Sequence, residues 1–407
     1  MNILVINGDC VQVNTSANLC HLAYIRGLVD AGHDVTLLSA DGRDYAVDQA
    51  MQIPEGVKCH TYYGVSLYEK LSLKKKGNQP MTLSSDSVVA GEQAKQKPSM
   101  KQRIIRRAKQ AVLSLYGVHG IYATFVRKAQ AFRSDIEYDY VLSISTPVTS
   151  HLLAHNLLKA KHIKAKHWIQ IWEDPWYSDA YGFNGQKGVY EEEKRLLSFA
   201  EKVCYVSPLT LRNQQRIYPE SAQKMFWQPL PYYYKDEVSA PVSFDKISYG
   251  YFGEYWPAAR DLAPFYAAAK ETGVEVNICG NPSNLFESTE HIHIHPRLPL
   301  DKLRPIEDST NVLIFLCNRK GGQIPGKIYQ YSATGKAILF ILDGTQEEKD
   351  VLRAYFEPFD RYVFCENNEQ SIAEALRRIE NGDFGSVKNE PLEAFNPTET
   401  IRKILES

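Results

Sequence analysis

The sequence predicts an α/β protein of two doubly wound, Rossmann-like halves facing each other across a cleft. Three observations predict it. Short, wholly apolar runs alternate with segments of helical spacing along most of the chain, the pattern of repeated βα units. The stretch 229–246, with three prolines and neither a helical nor a strand period, interrupts that pattern and reads as a linker. The length of 407 residues suits two to three domains.

In the first half, Ile3–Ile6 is a short apolar run, hence a buried strand. A small-residue loop at 14–17 leads to Leu19, Leu22, Ala23, Ile25 and Val29, spaced as one helix face and stopped at Gly32. Val35–Leu38 is the next strand, so the unit is βαβ, parallel and right-handed. A polar insertion follows at about 68–118, with Lys74-Lys75-Lys76, Pro80 and Pro98. Tyr140–Ser145 is a strand, Pro147 opens a helix through Leu158, and His167–Trp172 is a strand. Residues 188–200 read as helix and Lys202–Val206 as strand, and Pro208 opens another helix, completing a domain over 1–228. Beyond the linker, a second domain over 247–385 carries strands at 247–252, 274–279, 291–295, 311–316, 337–342 and 362–365. Its helices fall at about 259–271, 300–308, 326–334, 346–356 and 369–380, and a tail at 386–407 remains.

The composition is globular, at 44% hydrophobic and 23% charged. With 47 basic and 48 acidic residues the net charge is −1, which excludes a globally basic nucleic-acid binder. No apolar run approaches the roughly 18 residues of a membrane span. The start, MNILVINGDC, lacks the basic region and cleavage site of a secretory signal. Seven dispersed cysteines without a C-x-x-C pair read as reduced thiols of a cytoplasmic protein.

Ligands of such folds bind at the carboxyl ends of the strands. The first βα turn, Asn7-Gly8-Asp9-Cys10, has one glycine where a dinucleotide fold needs G-x-G-x-x-G, so a nicotinamide enzyme is disfavoured. Ser16 and Ala17 are small enough for backbone to approach a phosphate, or form a plain loop. In IQIWEDPW (169–176), Glu173 and Asp174 project from a strand end, where carboxylates orient sugar hydroxyls and Trp172 and Trp176 stack on a sugar face. A helix cap at Asp174-Pro175 is the structural alternative. YGYFGEYWPAAR (249–260) places Gly253 and Glu254 at a strand end and Arg260 on the following helix, within reach of a diphosphate or solvated. Gly280 and Asn281 end the next strand and suit a base or ribose, or a simple Asn-Pro turn.

The most informative segment is FLCNRKGGQIPGKIYQYSATGKAIL (315–339). A buried strand enters a glycine-rich basic loop with Asn318, then a helix beginning near Pro325-Gly326 with Lys327 in its first turn and Gln330 one turn on. A helix start plus a lysine makes a diphosphate site. No D-x-D pair occurs, His151 and His155 lack the glutamate of H-E-x-x-H, and His291, His293 and His295 form one polar face of a strand. Neither a metal nor a cofactor is expected. From Gln93 to Ser134 there are ten Lys or Arg and no acidic residue. Ile104, Ala108, Val112 and Leu115 share one helical face, and Arg103, Arg106, Arg107 and Lys109 share the other. Segment 101–133 therefore suits an anionic membrane surface, or a core-packed helix with a solvated face.

The order and spacing of NTSANLCHLAYIRGLVDAGHDVTLLSA (14–40), STPVTSHLLA (145–154), EDPW (173–176), YGYFGEYWPAARDLAPF (249–265) and PGKIYQYSATGKAIL (325–339) resemble the GT-B glycosyltransferases of the retaining family 4 type, over nearly the whole length. The resemblance implies a nucleotide-sugar donor held mainly by the second half, through Gly253, Glu254, Gly280, Asn281, Asn318, Gly326, Lys327 and Gln330. Lys327 would meet the diphosphate. Gln330 would occupy the second glutamate position of an E-x7-E motif, on the ribose. The first half would bind a saccharide or lipid-linked saccharide acceptor through Gly8, Ser16, Thr146, Glu173 and Trp176, and a last helix at about 398–406 would cross back onto it. Asp174, Lys327 and Arg260 are the catalytic candidates, for transfer with retention. The implied setting is lipopolysaccharide or capsule synthesis by a cytoplasmic protein, peripheral at the inner face of the membrane. The sequence departs from the pattern: Gly322 stands at the first glutamate position, Ser16-Ala17 replaces a double glycine, and no histidine ends the EDPW strand. A nucleotide-sugar epimerase of the same fold and a non-catalytic glycan-binding scaffold are the rival readings.

Overall fold

The computed structural model describes residues 1–42, 47–70, 115–179, 186–235 and 247–407. They form two compact units. The first comprises Met1–Val206, Thr210–Gln228 and Pro397–Ser407, and the second Ser207–Leu209 and Pro229–Asn396.

The first unit is built on strands β1 (Asn2–Asn7), β2 (Asp34–Ala40), β3 (Lys58–Tyr62), β4 (Glu137–Ser145), β5 (Lys164–Trp172), β6 (Lys202–Tyr205) and β7 (Met225–Trp227). They lie in the order β3-β2-β1-β4-β5-β6-β7, and every pairing is parallel. A parallel sheet is covered on both faces, so its inner strands must be apolar throughout; Ile3–Ile6 are wholly buried. The helices are α1 (Ser16–Asp30), α2 (Ala123–Ala129), α3 (Thr149–Lys159), α4 (Lys187–Phe199) and α5 (Pro208–Ile217). The Thr15 hydroxyl starts α1 by accepting the amide of Asn18 at 3.1 Å.

Two strands went unpredicted: β3, an exposed edge strand of sequence KCHTY, and β7, only three residues long. Of the basic segment 101–133, residues 101–114 lie outside the described residues, as does most of the 68–118 insertion. Within the described part, α2 turns Phe125, Val126 and Ala129 into the core and leaves Arg127 and Lys128 exposed. His151 sits in the core, with Nδ1 2.8 Å from Ser143 Oγ, and burial pushes it down to about 3. His155 stacks on Phe199 at 3.6 Å.

The second unit has strands β8 (Ser248–Phe252), β9 (Glu275–Cys279), β10 (Ile292–His295), β11 (Val312–Leu316), β12 (Ala337–Leu342) and β13 (Val363–Glu366). Their order is β10-β9-β8-β11-β12-β13, again parallel throughout. Helices α6 (Ala263–Thr272), α7 (Leu300–Asp308), α8 (Lys327–Ser332), α9 (Gln346–Phe356) and α10 (Glu369–Glu380) connect them. Thr345 and Glu348 form a reciprocal capping box at the start of α9. His291 and His295 bond across to Glu275 and Asn277 of β9, at 2.6 and 3.0 Å. Of the linker, 229–235 belong to the second unit and 236–246 lie outside the described residues.

The last helix, α11 (Pro397–Glu406), belongs to the first unit, while 386–396 stay with the second. It packs on α1 at Gly27, where an added β-carbon would stand 2.4 Å from the Pro397 carbonyl oxygen. Tyr140 of β4 donates its hydroxyl to the Leu405 carbonyl at 3.0 Å. Among the described residues no helix is long and apolar enough to cross a membrane.

Candidate functional site

In each sheet the chain runs outward from one central strand to one edge, then returns beside that strand and runs to the other. The reversal leaves a switch point between β1 and β4 in the first unit and between β8 and β11 in the second, where ligands of open parallel sheets bind at the carboxyl ends.

At the second unit's switch point the turns after β8 and β9 touch backbone to backbone. The Gly253 amide donates to the Cys279 carbonyl at 3.0 Å, and Tyr255 to that of Asn281 at 2.8 Å. Gly280 faces the Gly253 carbonyl with no room for a side chain. Arg260 precedes α6 rather than lying on it, in a turn closed by its amide on the Trp256 carbonyl. Its Nε donates to Asn318 Oδ1 at 2.7 Å and its Nη1 to the Glu254 carbonyl at 3.2 Å. Asn318 in turn donates to the Gln323 carbonyl at 3.0 Å, tying Arg260 to the glycine-rich loop. A small pocket beside these residues is lined by Cys317, Asn318, Gly322, Gln323, Pro325 and Asp343. The Glu254 carboxylate is held above its usual range by burial, against the pull of Arg297, 3.5 Å away, and of Arg260.

Lys327 is the first residue of the six-residue α8, directly after Gly326. Its Nζ lies 3.8 Å from Glu307 Oε1, and both charges act on the buried Cys279 thiol. The structure thus brings Gly253, Glu254, Gly280, Asn281, Arg260 and Asn318 together, while Lys327 Nζ lies 5.8 Å from the ring of Tyr331, whose hydroxyl donates to the Phe252 carbonyl next to Gly253 at 3.5 Å. Gln330 has a different task. Its Oε1 accepts the Tyr233 amide at 2.9 Å and its Nε2 donates to the Tyr234 carbonyl at 2.8 Å. The expected ribose contact therefore meets a carboxamide already bonded at both ends.

At the carboxyl end of β5 in the first unit, the reading of residues 169–176 needs a correction. Trp172 and Trp176 are buried in the core, Trp176 beneath His119 at 5.3 Å, so neither offers a ring face to a sugar. The Trp176 and Tyr177 amides point at Glu193 of α4, at 3.4 and 2.5 Å. Burial pushes this carboxyl up to about 7 against those bonds. Gly8 is also buried, its amide given to Ser150 Oγ at 2.8 Å. Ser16, Thr146 and Asp174 are exposed.

Sequence reading missed the group beneath them. Asn7 Oδ1 accepts the Asp9 amide at 2.9 Å, so Asn7 Nδ2 is the atom facing His21 Nδ1. That assignment puts the His21 proton on Nε2, 3.2 Å from Glu173 Oε2. His21 is 0% and Glu173 7% exposed, and among the described residues neither His21 Nε2 nor Glu173 Oε1 has a hydrogen-bond partner. Burial raises Glu173, as does Asp174, while His21 opposes them. Burial pushes Asp9 up to about 6, with Glu69 adding and the Cys10 amide and His21 opposing. The available sequence signal was a polar pair, Asn7 and Asp9, directly after an apolar strand, and a histidine amid the apolar residues of α1.

No family model and no curated protein sequence matches the chain. Its backbone is similar to that of sucrose-phosphate synthase from Thermosynechococcus elongatus, at 12% identity and a TM-score of 0.52, over 100% of this chain and 94% of that one. It is also similar to a glycosyltransferase from Rickettsia africae ESF-5, at 11% identity and a TM-score of 0.50, over 100% and 93%. Two all-parallel sheets with helical connections, together with that likeness along the full length, make the fold GT-B, with two Rossmann-like units.

Proposed function

We propose that the protein is a glycosyltransferase that moves a sugar from a nucleotide-sugar donor to a saccharide or lipid-linked saccharide acceptor. The observation that carries this reading is the grouping of Arg260, Asn318 and the Gly253–Gly280 contact at the switch point of the second unit, with Lys327 set against Tyr331, which bonds the end of β8. A departing nucleoside diphosphate needs positive charge held in place before it leaves. Arg260 is oriented by two neutral oxygens, those of Asn318 and the Glu254 backbone, and Lys327 adds a second cation. Asn281 and Gly280 remain for the base and ribose. Glu173 and Asp174 of the first unit would orient acceptor hydroxyls.

The family resemblance carries retention with it, the acceptor entering on the face the diphosphate leaves. With the diphosphate charge met by Arg260 and Lys327, transfer should survive EDTA. For a lipid-linked acceptor of lipopolysaccharide or capsule synthesis, segment 101–133 would meet the anionic inner face of the cytoplasmic membrane. Co-sedimentation with anionic liposomes at low salt tests that part separately.

The test of the whole reading is incubation with a panel of nucleotide sugars and saccharide acceptors, with product anomers resolved by NMR. Glycoside formation is expected. Epimerisation of the donor sugar without transfer, or binding without turnover, would replace this reading with an epimerase or a scaffold.

A further inference from the structure

Helix α8 begins with Lys327, and its remaining residues fasten two connecting segments. Apart from the short stretch Ser207–Leu209, the chain enters the second unit at Pro229 and leaves it after Asn396. The segments at both of these points are bonded to α8. On the entering segment, the Tyr233 amide donates to Gln330 Oε1 at 2.9 Å, and Gln330 Nε2 donates to the Tyr234 carbonyl at 2.8 Å. On the leaving segment, the Leu392 amide donates to the Ser332 carbonyl at 2.8 Å, and the Phe395 ring meets that of Tyr329 edge-on at 4.9 Å. The two segments also bond each other. The Tyr232 amide donates to the Phe395 carbonyl at 3.1 Å, and Asn396 Nδ2 donates to the Tyr232 hydroxyl at 3.1 Å.

The side chain at 330 must accept a hydrogen bond with one atom and donate one with the other. A carboxamide does both, whereas an ionised carboxylate only accepts. The glutamate that the resemblance puts at this position would set its second oxygen against the Tyr234 carbonyl. Helix α8 has six residues, too few to be held by its own hydrogen bonds, so it is ordered by what binds it. Tyr329, Gln330 and Ser332 hold it to the connecting segments, and Lys327 stands at its start. A ligand that binds only the formed helix stabilises whatever depends on that helix for its order.

We propose that a nucleoside diphosphate, on binding at Lys327, tightens the entering and leaving segments through α8, with Gln330 fastening the first and Ser332 the second. This rests on the reading that the second unit binds the donor, and it goes further by naming where in the chain that binding is felt.

The amides of Tyr233 and Leu392 are themselves the donors in these bonds, so their hydrogen exchange reads the fastening directly. The full chain is titrated by calorimetry with UDP, GDP, ADP and dTDP. Exchange is then followed with and without the nucleotide that binds, at about a hundred times its Kd. Both amides should slow, by up to about a hundredfold. The Asn381 amide, bonded to the Arg377 carbonyl at the end of α10, should not change. Gln330→Met removes donor and acceptor at nearly the same length. In that variant the Tyr233 amide should exchange about tenfold faster and lose its response to nucleotide, while Leu392 keeps its own. A nucleotide that binds and leaves both amides unchanged, or slows Asn381 equally, would overturn the proposal. So would a Tyr233 amide that still responds in Gln330→Met. The comparison on the unaltered protein decides the matter even where the variant fails to fold. Binding without protection refutes this coupling alone, whereas no binding of any of the four nucleotides removes the donor reading with it.

Discussion

A β-carbon on Gly280 would stand 1.9 Å from the carbonyl oxygen of Gly253, closer than any real contact. The obstacle is backbone, in a turn pinned by the Gly253 amide on the Cys279 carbonyl, not a side chain that can swing away. Gly280→Ala should therefore destabilise the protein by about 1–3 kcal/mol and weaken nucleotide-sugar binding, since the Gly253 and Asn281 turns must part. Denaturant unfolding and titration with donor would show both effects. Unchanged stability would mean that the two turns are not in register as described.

Gly27→Ala presses on the Pro397 carbonyl, 2.4 Å from the added carbon. The cost should again be about 1–3 kcal/mol, but confined to α11 and its seat on α1. Hydrogen exchange resolved by peptide should quicken over 397–406 while α10, in the other unit, keeps its protection.

Lys327→Ala should lower turnover by about two to three orders of magnitude, as loss of one preorganised charge does. It also strands the largely buried Glu307, 3.8 Å away, at a stability cost of about 1 kcal/mol or more. The double variant with Glu307→Gln should regain that stability without regaining rate. Recovery of turnover in the double variant would show that Lys327 serves only to neutralise Glu307.

Glu193 gives a pH dependence of fixed sign. Its carboxyl is raised from an ordinary 4.5 to about 7 by burial, so the folded protein binds this proton more tightly than the unfolded chain. Its contribution is present below about pH 4.5 and is lost as pH rises to about 7, an effect of order 1–3 kcal/mol. His151 acts oppositely: lowered from 6.5 to about 3, it costs stability as pH falls below 6.5. The two slopes offset each other between pH 4.5 and 6.5, so Glu193→Gln should uncover the His151 rise of stability with pH across that range and leave the limb below pH 4.5 intact. Denaturant midpoints across that range supply the measurement.

The sheets were legible because strands buried on both faces must be apolar throughout, as Ile3–Ile6, Val312–Leu316 and Ala337–Leu342 are. That same rule hid β3, whose exposed residues carry no such constraint. Gly280 and Asn318 stand just past the ends of their strands, where the strand pattern put them. The tryptophans of residues 169–176 misled because what covers an aromatic ring is decided by distant elements: His119 lies over Trp176, and Trp172 packs against His151. The His21–Glu173 contact joins residues about 150 positions apart, and nothing local in either segment announces it. Gln330 was placed one turn from Lys327 as expected, but its partners at Tyr233 and Tyr234 come from the stretch read as linker.

The seat of α11 on Gly27 bears on the order of events during synthesis. Residues of the second unit, up to Asn396, must all emerge from the ribosome before Pro397 can reach its place beside α1. Until then the first unit lacks a helix, and the faces of Ile401, Ile404 and Leu405 that complete its packing are still unsynthesised. The unit made first is therefore the last to be finished, and a nascent chain halted anywhere in the second unit would hold the first open at α1, available to chaperones and proteases.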